Sequence, residues 1–501
     1  MKQGNGTRVL AIGLDAAEPT LIQRLIEDGE MPALKRLLER GAWKRVESSA
    51  HIGSGSVWPT FITGTEPREH GMYAEWEWQP LTMGLTRCNG RSLRPFWKSL
   101  AAEGATVGVL DVPFAPIVNL PTGFEVSEWG AHDVVEGHMQ ISPASLNGLV
   151  SQTKPHPLQH ENIDAGGPDD YQRLARISAR CLDGVKLRGE LASRLIVETH
   201  PQLALVVFTE IHHAAHYFWH TIAPQHPFYK DDRFRSLSDT NLVIRDIYRE
   251  VDKQIAGLVE VSGEDASVMV FSLHGMQPTL GIAAFLAPLL LETNWARLAD
   301  WSSKSWRERA LSLFAKIKRH APAGLKKLYY KTLPRTATLQ LAQPTMLPTY
   351  DWSRTRAFSL PSDQHGWIRI NLAGREAKGI VQPQAYEEAC RELEQMLLGL
   401  VTQDGKRLVR DCLITSQSYE DALTQPLPDL IVHYEDAAFD PHMRIKGMTF
   451  QPRSIGQKFT GQHAPEGFLI TAGQQGILPD APTVAAKDLH RMIINSLTTR
   501  T

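Results

Sequence analysis

Histidines follow an apolar segment of this chain at a spacing that suits metal binding. His212 and His216 stand four residues apart, and the apolar run 203–208 precedes them directly. If the chain leaves a buried strand and enters a helix here, both imidazoles lie on one helical face, with side chains about 6 Å apart. Imidazole is a good ligand of divalent transition metals. The segment therefore predicts that these two histidines hold one ion.

Further side chains of the ligand type stand close to other apolar runs. Asp15 follows the run 9–14, and His274 follows a later one. His463 precedes a third. A single histidine in a chain that has 19 is usually a surface residue or a satisfied core residue. Several at separate strand ends are expected instead to meet at one edge of a parallel sheet, where α/β enzymes build their sites.

A serine between glycines opens the segment 53–71. Ser54 lies between Gly53 and Gly55, which let the backbone turn sharply and expose a hydroxyl. An apolar helix is expected to follow, and its N-terminus would favour a bound anion. Ser54 is therefore a candidate nucleophile and Ser56 the neighbouring alternative, although most glycine–serine loops are simple turns.

The composition argues against several classes of function. Lys plus Arg number 53 and Asp plus Glu 55, so no bias towards nucleic acid or membrane exists, and no binding of a nucleic-acid duplex is expected. The four cysteines form no CxxC pair, which argues against a disulfide framework and a thiolate zinc site. Residues 1–8 carry no apolar signal segment. The expected location is the cytoplasm.

Short aliphatic runs alternate with amphipathic segments over most of the chain. This alternation is typical of an α/β fold, with a mostly parallel central sheet and helices on both faces. One helix is clear, because Ile244, Ile247 and Val251 recur at spacings of three and four while charged residues take the other face. The candidate strands are 8–14, 106–112, 203–208, 267–272, 367–371, 429–433 and 467–471.

Two segments interrupt the alternation. The segment 114–200 is rich in Pro, Gly and His, and it is predicted to form a cap insertion over one sheet edge. The segment 292–347 is predicted to form a basic amphipathic helical insertion. The remaining segments, 1–113, 201–291 and 348–501, are then predicted to form the α/β core.

The second insertion has a pronounced positive charge. Within 301–335 the basic residues far outnumber the acidic ones and are interleaved with aromatic and aliphatic residues. Such a helical pair could contact an anionic surface, for example lipid headgroups or a polyanionic glycan. The alternative is more frequent for amphipathic helices: the apolar stripe packs on the protein's own core.

Several segments taken together resemble a known family. They are Asp15 after the first strand, the Trp-Pro-Thr-Phe-Ile-Thr-Gly-x-x-Pro-x-x-His-Gly run that begins at Trp58, the segment from His216 to Trp219, the segment from Ser272 to Met276, residues 370–381, and His463 followed by x-Pro-Glu-Gly. In order and spacing they resemble the alkaline phosphatase superfamily, and within it the type I phosphodiesterase/nucleotide pyrophosphatase branch with its predicted bacterial phosphohydrolase and phosphomutase members. The resemblance covers nearly the whole chain apart from the two insertions. It implies an alkaline-phosphatase-like fold.

The resemblance also implies a role for each matching residue. Ser54, four residues before the aromatic Trp58, takes the place of the nucleophile, which is also a metal ligand in the family. The places of other metal ligands are taken by Asp15, His216, His274 and His463.

Two ligand positions of the family lack the usual aspartate in this chain. His212 stands in the Asp-x-x-x-His pair, and Leu273 stands in the Asp-His-Gly-Met run. In the family, three carboxylates and an alkoxide neutralise two divalent ions. Here only Asp15 and Ser54 supply negative charge, and burying the excess positive charge is costly. Two fully occupied zinc sites are therefore not expected from this ligand set.

The remaining ligands predict an atypical centre. His212, His216 and His463 would form a three-histidine site with one open position, as a catalytic zinc uses. Asp15, His274 and Ser54 would form a second, weaker site or none. Zinc is expected, as one ion or two, with Mn²⁺ as the alternative.

Without a second ion, a base must activate the nucleophile. The candidates by sequence are Glu210, His213, Asp363 and His365. Each could equally be a substrate contact or a polar partner that orients a ligand histidine.

These features predict metal-dependent hydrolysis of a phosphodiester or phosphomonoester through a covalent Ser54 intermediate. One alternative is transfer of a phospho or sulfo group at the same site, as in a phosphomutase. Another is a non-hydrolytic protein that binds an anionic glycan or lipid. The substrate would be a small-molecule, glycan or lipid phosphate ester. Neither the cap nor Trp76 and Trp78, expected at the lip of the pocket, chooses among these.

Overall fold

The structure is a computed structural model that describes most of the chain. It covers residues 7–130, 137–159, 170–226, 228–229, 243–279, 285–300, 346–362, 364–435, 444–449, 459–473 and 481–498, and the single residues 306, 309, 310, 313, 317 and 321. Asp363 and most of the basic segment 301–335 therefore lie outside the described residues, so the predicted contact of that segment with an anionic surface stays a prediction.

A strand is present at each of the seven predicted positions. The strands of the described residues are β1 (Val9–Leu14), β2 (Gly41–Glu47), β3 (Trp76–Gln79), β4 (Gly84–Arg87), β5 (Val107–Leu110), β6 (Gly123–Ser127), β7 (Gln140–Ser142), β8 (Leu203–Phe208), β9 (Ser267–Ser272), β10 (Gly275–Pro278), β11 (Ala357–Leu360), β12 (Gly366–Ile370), β13 (Val409–Ile414), β14 (Leu430–Tyr434), β15 (Gly461–Ala464), β16 (Glu466–Ala472) and β17 (Thr483–Ala485).

The α-helices of the described residues are interleaved with these strands. They are α1 (Pro19–Glu27), α2 (Pro32–Glu39), α3 (Val57–Thr63), α4 (Pro67–His70), α5 (Phe96–Ala102), α6 (Asn147–Ser151), α7 (Tyr171–Thr199), α8 (Glu210–Phe218), α9 (Val243–Ser262), α10 (Leu286–Glu292), α11 (Tyr386–Leu398), α12 (Tyr419–Thr424) and α13 (Leu489–Thr498). Within the described part of the chain, none of the helices has the length and apolar character to cross a membrane.

The predicted α/β fold with a mostly parallel central sheet is confirmed. Nine strands form one sheet in the order β17-β2-β16-β9-β1-β8-β5-β6-β7. The five strands from β9 to β6 run parallel to one another. On one side β16 pairs antiparallel with both β9 and β2, and on the other side β7 pairs antiparallel with β6.

The two central strands are completely buried, which explains their continuous apolar sequences. Along β1, Leu10 and Ile12 pack into the core on one face of the sheet, whereas Val9 and Ala11 pack into the core on the other. Successive side chains of a strand point to opposite faces, so a strand covered on both sides has no polar positions. β1 and β8 lie next to each other in register, and their ends therefore meet at one edge.

Helices cover each face of the central sheet. Apolar side chains of α1, α2, α7, α8 and α9 share one core, and those of α3, α5 and α13 share the other. The predicted helix around Ile244 is α9, which is longer than the periodic segment alone. The two layers hold the carboxyl ends of the parallel strands in fixed positions.

Two of the predicted strands belong to a separate sheet. β12 and β14, predicted by their apolar runs as part of the parallel sheet, lie in a four-stranded antiparallel sheet of order β11-β12-β14-β13. All residues of both strands are buried, because this sheet has its own core with α10 and α11. An apolar run in the sequence indicates that a strand is covered on both faces, but it does not indicate which sheet the strand joins.

The segment 114–200 contributes directly to the central sheet. β6 and β7 extend its edge, and α7 packs on one face beside α9. Pro and Gly in this segment interrupt the pattern between short strands, and β7 has only three residues. The division of the chain into a core and two insertions remains a prediction.

Candidate metal centre and nucleophile loop

The ends of three central strands bring the candidate ligands together. Asp15 follows β1, α8 with His212 and His216 follows β8, and His274 follows β9. His463 arrives on β15, which pairs antiparallel with β10. The ligand nitrogens of His212, His216 and His463 lie within 4.8 Å of one another. His274 packs against this group, with its ring centroid 4.6 Å from that of His463.

The hydrogen bonds at the Nδ1 atoms fix how two of these rings are protonated. His212 Nδ1 lies 2.7 Å from a carboxylate oxygen of Asp15, and His216 Nδ1 lies 2.9 Å from the carbonyl oxygen of Gly461. Both oxygens only accept here, so both Nδ1 atoms carry hydrogen, and in the neutral rings each Nε2 presents a lone pair. The two Nε2 atoms stand 2.7 Å apart, and His463 Nε2 stands 2.9 Å from that of His212.

This arrangement fits a cation. Facing lone pairs repel each other at such distances unless a positive charge lies between them, and a divalent metal ion supplies one. Gly461 allows the arrangement, because a Cβ atom at this position would stand 2.3 Å from the backbone oxygen of Ala215 in α8. Only glycine at position 461 lets β15 approach α8 this closely.

Asp15 is buried and accepts hydrogen bonds through both oxygens. Oδ2 accepts from His212 Nδ1, and Oδ1 accepts from the indole N–H of Trp58 at 2.8 Å. His274 Nε2 lies 3.6 Å from Oδ1. Burial alone would raise the pKa of Asp15, but the adjacent imidazoles of His212 and then His274 outweigh burial and hold this pKa well below its usual range. Asp15 is therefore a carboxylate at neutral pH.

Ser54 begins a single 3-10 turn that leads into α3. The turn spans Ser54–Ser56, and Trp58, four residues after Ser54, lies in α3 and bonds Asp15. The side chain of Ser54 is half-buried. Ser56, the alternative nucleophile, is completely buried, and its hydroxyl lies 2.7 Å from both the Gly53 carbonyl and the Ser49 hydroxyl. The hydroxyl of Ser56 is therefore engaged within the loop itself.

The second sheet holds the segment immediately before Ser54. Three successive backbone carbonyls accept hydrogen bonds from side chains on this sheet or directly before it: Ala50 from His365, the residue before β12, at 2.9 Å, His51 from His433 at 2.6 Å, and Ile52 from Trp367 at 2.8 Å. We call these three side chains the loop clamp. His365 thus lies in the loop clamp, and its role as a base stays a prediction.

Leu273, which stands where the resemblance implies an aspartate, lies in the apolar core. It is 1% exposed and belongs to the same core as Trp58 and Phe271. Met269, Phe271 and Leu273 alternate along β9 and its continuation, so residue 273 points to this face of the sheet. No described acidic side chain joins Asp15 in the cluster of ligand residues.

Glu210 is the first residue of α8, the helix that carries His212 and His216, and it forms a buried ion pair. Both of its oxygens lie near Arg188 Nε, at 2.9 and 3.1 Å, and Oε1 lies 2.9 Å from His156 Nε2. Arg188 also donates to Asp111 at 2.6 Å. Burial would raise the pKa of Glu210, but Arg188 and then His156 outweigh burial and lower it. His213 is buried beside His212, with ring centroids 6.4 Å apart.

Sequence reasoning missed Arg188. It stands in the middle of α7, in the segment predicted as a cap, and is fully buried. Its only signal was a charged residue on a helical face that is otherwise apolar. The partners of such a residue lie on other elements, so the sequence alone could not identify them.

Comparisons with known proteins agree with this fold. The chain matches the family described as type I phosphodiesterase / nucleotide pyrophosphatase over residues 9–449. No curated protein sequence matches it. The phosphonoacetate hydrolase of Sinorhizobium meliloti 1021, solved with phosphonoformate, aligns with a TM-score of 0.50 and 14% identity, over 98% of this chain and 96% of that chain.

A human structure aligns over a similar extent. It is ectonucleotide pyrophosphatase / phosphodiesterase 5, with a TM-score of 0.46 and 11% identity, over 99% of this chain and 96% of that chain. The match of the family to nearly the whole sequence decides the assignment. The chain belongs to the type I phosphodiesterase / nucleotide pyrophosphatase family of the alkaline phosphatase superfamily, and it is a metal-dependent phosphoric ester hydrolase.

Proposed function

We propose that this protein hydrolyses a small phosphate ester with Ser54 as the nucleophile and a divalent ion, Zn²⁺ or Mn²⁺, held by His212, His216 and His463. The convergence of the three Nε2 atoms carries the proposal. Three imidazoles with one open position suit an ion that binds a substrate oxygen. The family description, which names phosphodiester and nucleotide pyrophosphate bonds, supports this class of substrate.

The reaction proceeds in two displacements at phosphorus. The Ser54 oxygen forms a bond to phosphorus while the bond to the leaving oxygen breaks, and the hydroxyl proton passes to a base as the leaving oxygen takes a proton. Water then attacks the seryl ester, releases the phosphoryl product and restores the hydroxyl. A divalent ion at this centre supplies Lewis-acid stabilisation of the phosphoryl oxygens.

The contribution of the chain itself is to hold the reacting groups. The loop clamp fixes the backbone before Ser54, and Trp58 joins the start of α3 to Asp15. Correct placement of a nucleophile accounts for a large share of the rate enhancement in such reactions.

Substitution of the nucleophile tests the proposal. Ser54→Ala should lower kcat on bis(4-nitrophenyl) phosphate by roughly 10³-fold or more while the metal content per chain is unchanged. His216→Ala should lose both metal and activity. Ser99→Ala, on the exposed surface of α5, is the matched control and should behave as wild type.

The covalent intermediate gives a second readout. Rapid acid quench of wild-type protein with substrate, followed by peptide mass spectrometry, should find the phosphoryl group on Ser54. Full activity of Ser54→Ala, or a phosphoryl group on another residue, would show that the nucleophile is a different group.

A further inference from the structure

Asp15 has the position of a metal ligand in its family but different partners in this chain. Its Oδ2 bonds the Nδ1 of His212, whose Nε2 faces His216 and His463. Carboxylates that bond the outer nitrogen of a ligand histidine fix the orientation of the ring and raise its basicity. In this geometry Asp15 acts on the ion through His212.

The second oxygen of Asp15 is held as well. Oδ1 accepts the indole N–H of Trp58 at 2.8 Å, and an indole N–H can only donate. Trp58 is buried and its ring lies against Gly13 of β1, so a buried N–H donor holds each oxygen of the carboxylate. This leaves Asp15 well placed to orient His212 and poorly placed to turn towards a second ion.

The other ligands of a second ion do not compensate. Leu273 lies in the apolar core where the family pattern has an aspartate, and His274, whose Nδ1 lies 3.2 Å from the carbonyl oxygen of Gly275, supplies an imidazole rather than a carboxylate. A second divalent ion would thus have Asp15 as its one carboxylate ligand, and Asp15 already accepts hydrogen bonds from His212 and Trp58. Burying that net positive charge is costly.

We propose that Asp15 is a positioning residue for His212, and that this centre holds one divalent ion rather than the two of the family pattern. The inference rests on the proposed function, because it takes the three-histidine ion as given. It changes the role of Asp15 from metal ligand to the partner that orients a metal ligand.

Substitution of Asp15 by asparagine distinguishes the two roles. Asparagine has one oxygen, so it keeps only one of the two N–H donors and no charge. Elemental mass spectrometry of wild type loaded with Zn²⁺ should find one ion per chain. Asp15→Asn should still hold one ion at saturating Zn²⁺, with a Kd for Zn²⁺ weaker by about 10–100-fold in a competition titration.

Two ions in wild type, with Asp15→Asn keeping one of them at wild-type affinity, would make Asp15 a ligand of a second ion and overturn the inference while the proposed function stands. No ion in wild type would instead contradict the proposed function. His216→Ala is the control that should lose the ion.

Trp58→Phe provides a test if Asp15→Asn fails to fold. It keeps an aromatic ring in the core and removes only the N–H that holds Oδ1. If Asp15 orients His212, the Kd of the single ion should weaken several-fold. An unchanged Kd would mean that the fixed carboxylate does not matter for the three-histidine ion.

Restoring the family's aspartates tests why only one ion binds. The double variant His212→Asp with Leu273→Asp supplies both missing carboxylates and should bind two ions per chain. A double variant that folds and still binds one ion would contradict the explanation from charge. The thermal unfolding midpoint, measured with and without chelator, reports whether the variant folds.

Discussion

Gly13 determines where the indole of Trp58 can lie. A Cβ atom at Gly13 would stand 2.8 Å from Cη2 of Trp58 and 3.1 Å from Cγ2 of Val207. Such distances are shorter than atoms tolerate in a packed interior. Because Gly13 has no side chain, the indole of Trp58 can lie against β1 and donate its N–H to Asp15. Gly13 thus controls the hydrogen bond from Trp58 to Asp15. Among the described residues, Asp15 is the only carboxylate in the cluster of candidate ligands.

Gly13→Ala should therefore weaken both folding and metal binding. Overpacking of this kind costs about 1–3 kcal/mol of stability. The displaced indole should also release Asp15, so the Kd for Zn²⁺ should rise. The checks are the thermal unfolding midpoint and a zinc competition titration.

Gly257→Ala is the matched control for this variant. Gly257 lies in α9, and a Cβ atom there meets no other atom within 4 Å. Alanine in a helix is favoured over glycine by about 1 kcal/mol, so this control should be slightly more stable with unchanged zinc affinity. A Gly13→Ala protein that loses stability but keeps its zinc affinity would show that Trp58 does not act on the centre.

At the scale of elements, a buried ion network ties α7 to the strand ends beside the centre. Arg188 of α7 bonds Asp111, which follows β5, and Glu210, which begins α8. All three side chains are completely buried. Removing one partner of a buried pair is costly because the other charge stays buried.

Arg188→Met should lose about 3–5 kcal/mol of stability, because two carboxylates are left without their shared cation. The measurement is the urea midpoint, compared with that of Arg176→Met, an exposed position of the same helix that should be nearly neutral. Equal midpoints for the two variants would mean that the network does not stabilise the fold.

The β3–β4 hairpin contains a carboxyl group that responds to pH. Burial raises the pKa of Glu77 from 4.5 to about 7, and its Oε1 accepts the backbone N–H of Tyr73 at 3.2 Å. The folded state holds this proton more tightly than the unfolded chain. Its stabilising contribution is therefore complete below pH 4.5 and is lost as the pH rises through about 7.

Glu77→Gln should remove this pH dependence. Its stability should equal that of wild type near pH 4.5 and exceed it at pH 8, by roughly 1–3 kcal/mol. Thermal midpoints at the two pH values measure the difference. Glu39→Gln, on the exposed side of α2, should follow wild type at both. An equal effect of Glu77→Gln at both pH values would contradict the assignment.

At the scale of the whole molecule, the sequence predicted elements better than their partners. The apolar runs of β1 and β8 identify strands because both faces are covered, and the spacing of His212 and His216 places both on one side of α8. The location of β12 in a second sheet could not be predicted, because burial there gives the same pattern. Trp78, expected at the lip of the pocket, packs in that second core, 4.7 Å from Phe358 between ring centroids.

The loop clamp shows why the second sheet matters for the site. It joins two separate cores through three hydrogen bonds to consecutive carbonyls directly before the nucleophile turn. Small displacements of a nucleophile reduce rates strongly, so a residue far from the ion can control the reaction.

Trp367→Phe should separate catalysis from metal binding. Phenylalanine keeps the ring in the core but removes the N–H that bonds Ile52, and the freed carbonyl costs about 1–3 kcal/mol if it stays buried. The loop before Ser54 should then shift, and kcat should fall by roughly 10–100-fold while the zinc content per chain stays that of wild type. Trp352→Phe is the matched control. Trp352 packs on the same core, and no hydrogen bond from its indole to residues 50–52 is found among the described residues, so this variant should keep the kcat of wild type. Similar kcat values for the two variants would mean that the second sheet supports folding alone, whereas a loss confined to Trp367→Phe would establish that it positions the nucleophile.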